Sequence, residues 1–169
     1  MRAKALTGTV EPEGERLHLR VAWLCGVVLF LEGYDIAAVG YAIPSLVDAW
    51  REAPSVFTQA LTAGNVGLLL GSLCAGLLGD WRGRKPILIG CVAVIGVFSL
   101  LTAVAGSPLQ LAGLRFLTGL GLGGGIPLAI ALASDFAPPM AKGRLVILMS
   151  AGVPIGFMIG GLLFARFKS

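Results

Sequence analysis

Three charged residues lie within long stretches that are otherwise free of charge: Glu32, Asp35 and Arg115. Glu32 and Asp35 are three positions apart, so on a helix both carboxylates lie on one face. Carboxylates take up and release protons, and a guanidinium binds anions. In a bilayer each such charge costs about 2.5–3.5 kcal/mol on insertion scales, so it needs a partner, water or a function.

These residue types together could couple protons to an anionic solute. The protonation of a carboxylate in a bilayer depends on solvent access and on whatever anion occupies a neighbouring arginine. We therefore predict that Glu32, Asp35 and Arg115 form a substrate and proton-coupling site. The alternative is that Asp35 and Arg115 form only a fixed ion pair between helices.

The glycine run GLGLGGG, Gly119 to Gly125, formally matches the phosphate-binding pattern G-x-G-x-x-G. A dinucleotide loop needs a strand before the glycines and an acidic residue about 20 positions on. Here Arg115 precedes the glycines within an apolar stretch, and Asp135 follows too early. We predict a membrane helix here and no nucleotide site.

The cysteines and the single histidine give no sign of metal or catalytic chemistry. Cys25, Cys74 and Cys91 lie in apolar stretches without C-x-x-C spacing, and His18 precedes the first of them. The cysteines are predicted to be small packing residues. We expect no metal, no cofactor and no enzymatic activity.

Composition indicates an all-α membrane protein that has to hold these charges in a helix bundle. Of 169 residues, 56% are hydrophobic and 13% charged, and the mean hydropathy is +0.88. A bilayer core about 30 Å thick takes roughly 20 apolar residues to cross as a helix. Such stretches predict five transmembrane helices, near residues 21–43, 56–79, 87–105, 109–133 and 145–165, after a flexible cytoplasmic tail of residues 1–16.

The distribution of basic residues predicts the orientation. Lys and Arg are concentrated before the first span, after the second and after the fourth, whereas the other two connections hold only Arg51. By the positive-inside rule the N-terminus is cytoplasmic. The net charge of +4 then reflects topology and contact with anionic lipid, and no nucleic-acid partner is expected.

Helix rise places the charged residues at comparable depths. At 1.5 Å per residue, Asp35 lies about 12 Å and Arg115 about 9 Å from the outer ends of their spans. The two could therefore meet. Glu32 lies nearer the midplane, where the solute and ion sites of transporters are found.

Small residues recur every four positions and predict close helix packing. These stripes are Gly67, Gly71, Ala75 and Gly79 in the second span, Gly121, Gly125, Ala129 and Ala133 in the fourth, and Gly152, Gly156 and Gly160 in the fifth. Gly119, Gly123, Gly124 and Pro154 are further predicted packing residues.

The segment GLLGDWRGRK, Gly76 to Lys85, joins the second and third spans. Gly76 would allow tight packing at the helix end, Gly83 a sharp reversal, and Asp80 beside Arg84 and Lys85 a switchable charge network. The basic residues alone could equally be a topology anchor.

This segment resembles the cytoplasmic loop signature of the major facilitator superfamily, G-x-L-x-D-R-x-G-R-K, although Trp81 departs from it. The fourth span is similar to the family's R-x-x-x-G-x-G-x-G-G from Arg115 onward, and Asp135, Pro138 and Arg144 resemble its second cytoplasmic loop. The resemblance implies the N-terminal part of a transporter, with Gly76, Asp80, Gly83, Arg84 and Lys85 in a cytoplasmic gate and Asp135 and Arg144 in the second loop.

The first span carries EGYD, Glu32 to Asp35, and resembles the aromatic acid/proton symporters, which have D-G-x-D there. The resemblance implies proton-coupled symport of an aromatic or other organic acid, in a bacterial inner membrane. The superfamily has twelve helices in two halves, and this chain has five predicted spans. We therefore also expect a truncated transporter, whose missing half or another membrane chain would be its partner; the alternatives are a non-transporting packing partner and, for substrate, a sugar or other neutral solute.

Overall fold

A computed structural model describes residues 12–137, 140 and 142–168, and this part of the chain is almost entirely helical. The helices are α1 (Pro12–Trp50), α2 (Pro54–Arg82), α3 (Arg84–Thr102), α4 (Pro108–Phe136), α5 (Lys142–Ser150) and α6 (Gly152–Lys168). Within the described ranges, five segments are long and apolar enough to cross a membrane. The all-α fold and the five predicted spans are confirmed.

Helix α1 is longer than the predicted span at both ends. Residues 12–16, predicted to belong to a flexible tail, form its first turns, and the rest of that tail lies outside the described residues. Pro12 suits the first helical position because its fixed φ matches a helix and its missing N–H would be unbonded there. Hydropathy marks only the part of a helix that the bilayer covers, so the helix continues beyond the predicted limits.

The fifth predicted span is divided into α5 and α6 at Ala151. Pro154 explains the break, since it has no N–H to bond the carbonyl of Ser150 and its ring crowds that carbonyl. Pro154 itself is exposed. Its role in packing between helices stays a prediction, and the effect described here is on the backbone of its own helix.

Helix α4 lies at the centre and packs against α1, α2 and α3. Successive helical residues point about 100° apart, so three consecutive glycines can face three neighbours. A Cβ on Gly123 would overlap the Leu68 carbonyl oxygen of α2, and one on Gly125 would overlap Glu32 Oε1 of α1. A Cβ on Gly124, between them, would overlap Ala75 Cβ of α2 and lie 2.7 Å from Cys91 Sγ of α3. The glycine run that resembles a phosphate loop is thus part of a packed helix.

The α2–α4 interface is built from glycines on both sides. Cβ atoms on Gly67 and Gly71 would overlap carbonyl oxygens of α4, and one on Gly119 would overlap that of Gly64 in α2. The same relation joins α1 to α6, where Gly33 lies against Val153 and Gly156 against Phe30. Close backbone approach of this kind is how small residues hold membrane helices together.

The predicted stripes therefore face neighbouring helices. Buried positions include Gly67, Gly71, Ala75 and Gly79 of α2, Gly121, Gly125, Ala129 and Ala133 of α4, and Gly156 and Gly160 of α6. Gly152, partly buried, lies against Gly26 of α1.

Two short connections fix the helices at opposite ends of the bundle. Gly83 alone separates α2 from α3, with a φ of 91° that favours glycine. At the other end Ser107 caps α4 by accepting a hydrogen bond from Gln110 N, and the Gln110 side chain accepts one from Gly106 N. These reciprocal bonds satisfy amide groups that a helix start leaves unpaired.

We predict that Gly71→Ala destabilises the chain by about 1–3 kcal/mol, because the added methyl group forces the α4 backbone away. The matched control is Gly76→Ala in the same helix, where a Cβ meets no atom within 4 Å. Unfolding of the purified chain in detergent, followed by circular dichroism, measures both. Equal stability of the two variants would contradict the packing described here.

Candidate functional site

Asp35 of α1 and Arg115 of α4 form an ion pair within the bundle. Arg115 Nη1 donates a hydrogen bond to Asp35 Oδ2 at 3.0 Å. The Arg115 side chain is 7% exposed and the Asp35 side chain 13%. These two residues therefore meet, as their depths estimated from helix rise allowed. Since the pair is shielded from water, each charge depends on the other.

Two hydroxyl side chains of α3 complete this cluster. Ser99 Oγ donates to Asp35 Oδ1 at 2.5 Å, and Arg115 Nη2 donates to Thr102 Oγ1 at 3.0 Å. Sequence reasoning missed both residues. The signal was available, since they are polar, three positions apart and near the end of an apolar helix, on one face of it.

Glu32 is separate from the ion pair although it lies one turn away on α1. Its side chain is 1% exposed, and neither carboxylate oxygen has a hydrogen-bond partner among the described residues. It faces α4 at Gly125, near the middle of that helix. A carboxylate without a counter-ion inside a bilayer is costly unless it takes up a proton or meets a cation or water.

The site thus holds two carboxylates in different surroundings. Asp35 has a guanidinium and a hydroxyl as partners, whereas Glu32 has neither. Arg115 keeps one further donor, Nε, without a partner in the described structure. Chemically, this arrangement can hold one proton on Glu32 and one exchangeable anion at Arg115.

The opposite end of the bundle carries a second ion pair. Arg84, the first residue of α3, donates through Nη1 to both carboxylate oxygens of Asp135 near the end of α4, at 2.8 and 2.9 Å. The side chains are 38% and 53% exposed. This pair ties the α2–α3 turn to α4, and sequence reasoning named both residues without pairing them.

Other parts of the predicted loop cluster differ from expectation. Asp80, Lys85 and Arg144 are exposed and form no ion pair within the described part of the chain, so the network centred on Asp80 is not present. The reason is geometric, because the turn at Gly83 directs Arg84 toward α4. Gly76 is exposed, and a Cβ there would meet no described atom within 4 Å, so the described helices show no tight packing at Gly76, whereas Gly79 packs against Leu128.

Among the described residues no group of three His, Cys, Asp or Glu side chains could hold a metal ion. Cys25 is buried, Cys91 is half-buried and Cys74 is exposed. His18 lies in α1, at a position where the side chain is not described.

Comparisons with known proteins agree with the motifs. The profile of the Major Facilitator Superfamily matches residues 25–167. The 4-hydroxybenzoate transporter PcaK of Pseudomonas putida is 41% identical over 151 residues, which cover 89% of this chain and 34% of that protein. The 3-(3-hydroxy-phenyl)propionate transporter of Escherichia coli (strain K12) is 41% identical over 157 residues, covering 93% and 39% respectively.

A third relative, the gallate transporter of Pseudomonas putida, is 35% identical over 142 residues, covering 84% of this chain and 32% of its own length. The chain thus spans about a third of the length of the curated relatives it matches. No solved structure gives a significant match. The relatives' names are those of transporters, which agrees with the prediction of a transport protein rather than an enzyme, and the matches together with the apolar helices make the chain an integral membrane protein.

We predict that Arg115→Gln destabilises the chain by about 3–5 kcal/mol, because it leaves Asp35 as an unpaired charge in the bundle. The double variant Asp35→Asn, Arg115→Gln removes both charges and should recover much of this loss. Arg84→Gln, which breaks the more exposed pair, should cost less than about 1 kcal/mol. Unfolding in detergent measures all three, and a similar cost for Arg84→Gln and Arg115→Gln would refute the distinction.

Proposed function

Since this chain belongs to the major facilitator superfamily, we propose that it forms the N-terminal part of a transporter that carries an aromatic or other organic acid anion together with protons. The observation that carries the proposal is Glu32, a buried carboxylate that has no hydrogen-bond partner among the described residues and lies one helical turn from the Asp35–Arg115 pair. Glu32 would hold a proton, and Arg115 would bind the anion.

The ion pair suggests how the two binding events are linked. A substrate carboxylate that reaches Arg115 competes with Asp35 for the same guanidinium. If Asp35 is displaced, its charge lacks a counter-ion, and in a bilayer such a carboxylate is stabilised by taking up a proton. Anion binding and proton uptake would then occur together, which is the thermodynamic requirement of symport.

The names of the relatives support an aromatic acid as substrate. 4-Hydroxybenzoate, 3-(3-hydroxyphenyl)propionate and gallate each combine an aromatic ring with a carboxylate. A carboxylate is the group that a guanidinium binds best, through paired hydrogen bonds. A neutral solute has no carboxylate to compete with Asp35 for Arg115, so its binding would not be linked to proton uptake through this pair.

The Arg84–Asp135 pair is suited to a cytoplasmic gate. It joins the turn at Gly83 to the end of α4, and its partial exposure lets water and salt compete with it. We assign Gly83 the reversal that presents Arg84 to Asp135. Asp80, Lys85 and Arg144 would act only when another conformation or another part of the transporter brings a partner to them.

The proposed location is a bacterial inner membrane with the N-terminus in the cytoplasm, as the distribution of basic residues indicates. Ser107 would then lie outside and Lys85 inside. We predict that a membrane-impermeant maleimide labels Ser107→Cys in intact cells but labels Lys85→Cys only after the cells are opened. Both variants are made in a chain whose native cysteines are replaced by serine. The reverse labelling pattern would overturn the orientation.

The central test is uptake of labelled 4-hydroxybenzoate into vesicles that contain the chain, with acid outside, beside empty vesicles. We expect uptake that collapses when the proton gradient is dissipated. Asp35→Asn and Glu32→Gln should each lower it at least about ten-fold, because each removes a group that carries the proton. Asp48→Asn is the matched control, since Asp48 is an exposed carboxylate on the same helix.

Insertion of every variant is checked by the same maleimide labelling. No uptake by well-inserted protein would overturn transport by this chain alone and favour a packing partner for another membrane chain. Uptake that is unchanged in Asp35→Asn would overturn the assigned role of that residue. Uptake that survives loss of the proton gradient would overturn the coupling.

A further inference from the structure

Gly125 of α4 lies directly opposite the Glu32 carboxyl group. A Cβ on Gly125 would overlap Glu32 Oε1 and lie 3.3 Å from Glu32 Cδ, with Ile95 Cδ1 of α3 3.6 Å away. The space that an alanine methyl would fill is therefore already filled by the carboxyl group of Glu32. This places the tip of the side chain against the α4 backbone.

Gly125 differs in this respect from Gly119 and Gly123 of the same helix. A Cβ on Gly119 or Gly123 would meet carbonyl oxygens of α2, so substitution there has to move a helix. At Gly125 the atom in the way is the end of a flexible side chain. A methyl group at this position therefore displaces the carboxyl group while the helices can stay where they are.

Side-chain length completes the argument. Glutamate is one methylene longer than aspartate, so an aspartate at position 32 would withdraw its carboxyl group from α4. The extra methylene of Glu32 and the missing Cβ of Gly125 are complementary. A Glu32 side chain facing alanine would be too long for the space at position 125, and an aspartate facing glycine would be too short to fill it.

We propose that Gly125 is a positioning residue for Glu32, and that the two are a length-matched pair that fixes where the proton is held relative to Asp35 and Arg115. The inference rests on the proposed function for its role in transport. The placement of the carboxyl group itself can be tested without transport. The titratable groups near Glu32 are Asp35 on its own helix and Cys91 on α3. The charged residue of α4 on this side is Arg115, which is paired with Asp35.

The test is infrared spectroscopy of the whole chain in lipid vesicles across a pH series. The C=O band of the protonated Glu32 carboxyl group is identified as the band that Glu32→Gln removes. We expect Gly125→Ala to move the midpoint of its titration by at least about half a pH unit, because the carboxyl group leaves its surroundings. Gly113→Ala, on the same helix with no atom within 4 Å of the added Cβ, should leave the band unchanged.

The double variant separates length matching from a general disturbance. In a Glu32→Asp background the carboxyl group no longer reaches position 125, so Gly125→Ala should have little further effect on the aspartate band. Residues in contact give such non-additive results, and independent sites do not. If Gly125→Ala alone does not fold, restored folding in the Glu32→Asp background supports the pairing, and failure to restore it overturns the pairing.

Uptake of 4-hydroxybenzoate provides the second readout. Gly125→Ala should lower it at least about ten-fold, and adding Glu32→Asp should restore it to the level of Glu32→Asp alone. An unchanged band in Gly125→Ala, or equal effects of Gly125→Ala in both backgrounds, would overturn the pairing. Altered bands without uptake by any variant would overturn the proposed transport and leave the pairing standing.

Discussion

The close approach of α4 to three other helices is the constraint on which the remaining structure depends. A bilayer offers little hydrophobic driving force between helices, so association relies on packing and on hydrogen bonds. Gly123, Gly124 and Gly125 remove three consecutive side chains, so that the α2 backbone and side chains of α3 and α1 lie against the same turn of α4. Without this turn the charged groups of α1 and α4 would face lipid, where each would be costly.

Helix α4 also connects the two ends of the bundle. Arg115 and Asp135 are 20 positions apart, which corresponds to about 30 Å along a helix. One pairs with α1 deep in the bundle, and the other pairs with the first residue of α3 at the turn. Helix α4 thus takes part in both ion pairs, one at each end of the bundle.

The two ion pairs differ in what surrounds them. Asp35 and Arg115 are shielded from water and hydrogen-bonded to Ser99 and Thr102. Removing either charge therefore leaves the other buried and unpaired. Arg84 and Asp135 are partly exposed, so water can replace either partner at little cost. Breaking the buried pair is therefore more costly than breaking the exposed pair.

The sequence by itself determined the membrane class, the five spans and the glycine-lined faces, because length, hydropathy and four-residue spacing are properties of one helix at a time. It also identified Glu32, Asp35 and Arg115 as candidate site residues, because a charge in an apolar span is costly without a partner, water or a function. It did not predict the helix break before Pro154, the open space around Gly76 or the pairing of Arg84 with Asp135.

Only the tertiary structure decided which groups meet. It paired Arg84 with Asp135 and added Ser99 and Thr102 to the buried ion pair. It also placed Glu32 against Gly125, with no hydrogen-bond partner in the part of the chain that is described. The physical reason is that partner choice depends on the rotation and depth of each helix relative to its neighbours. Those quantities are set by packing between helices that are far apart in the chain, and no local pattern of residues encodes them.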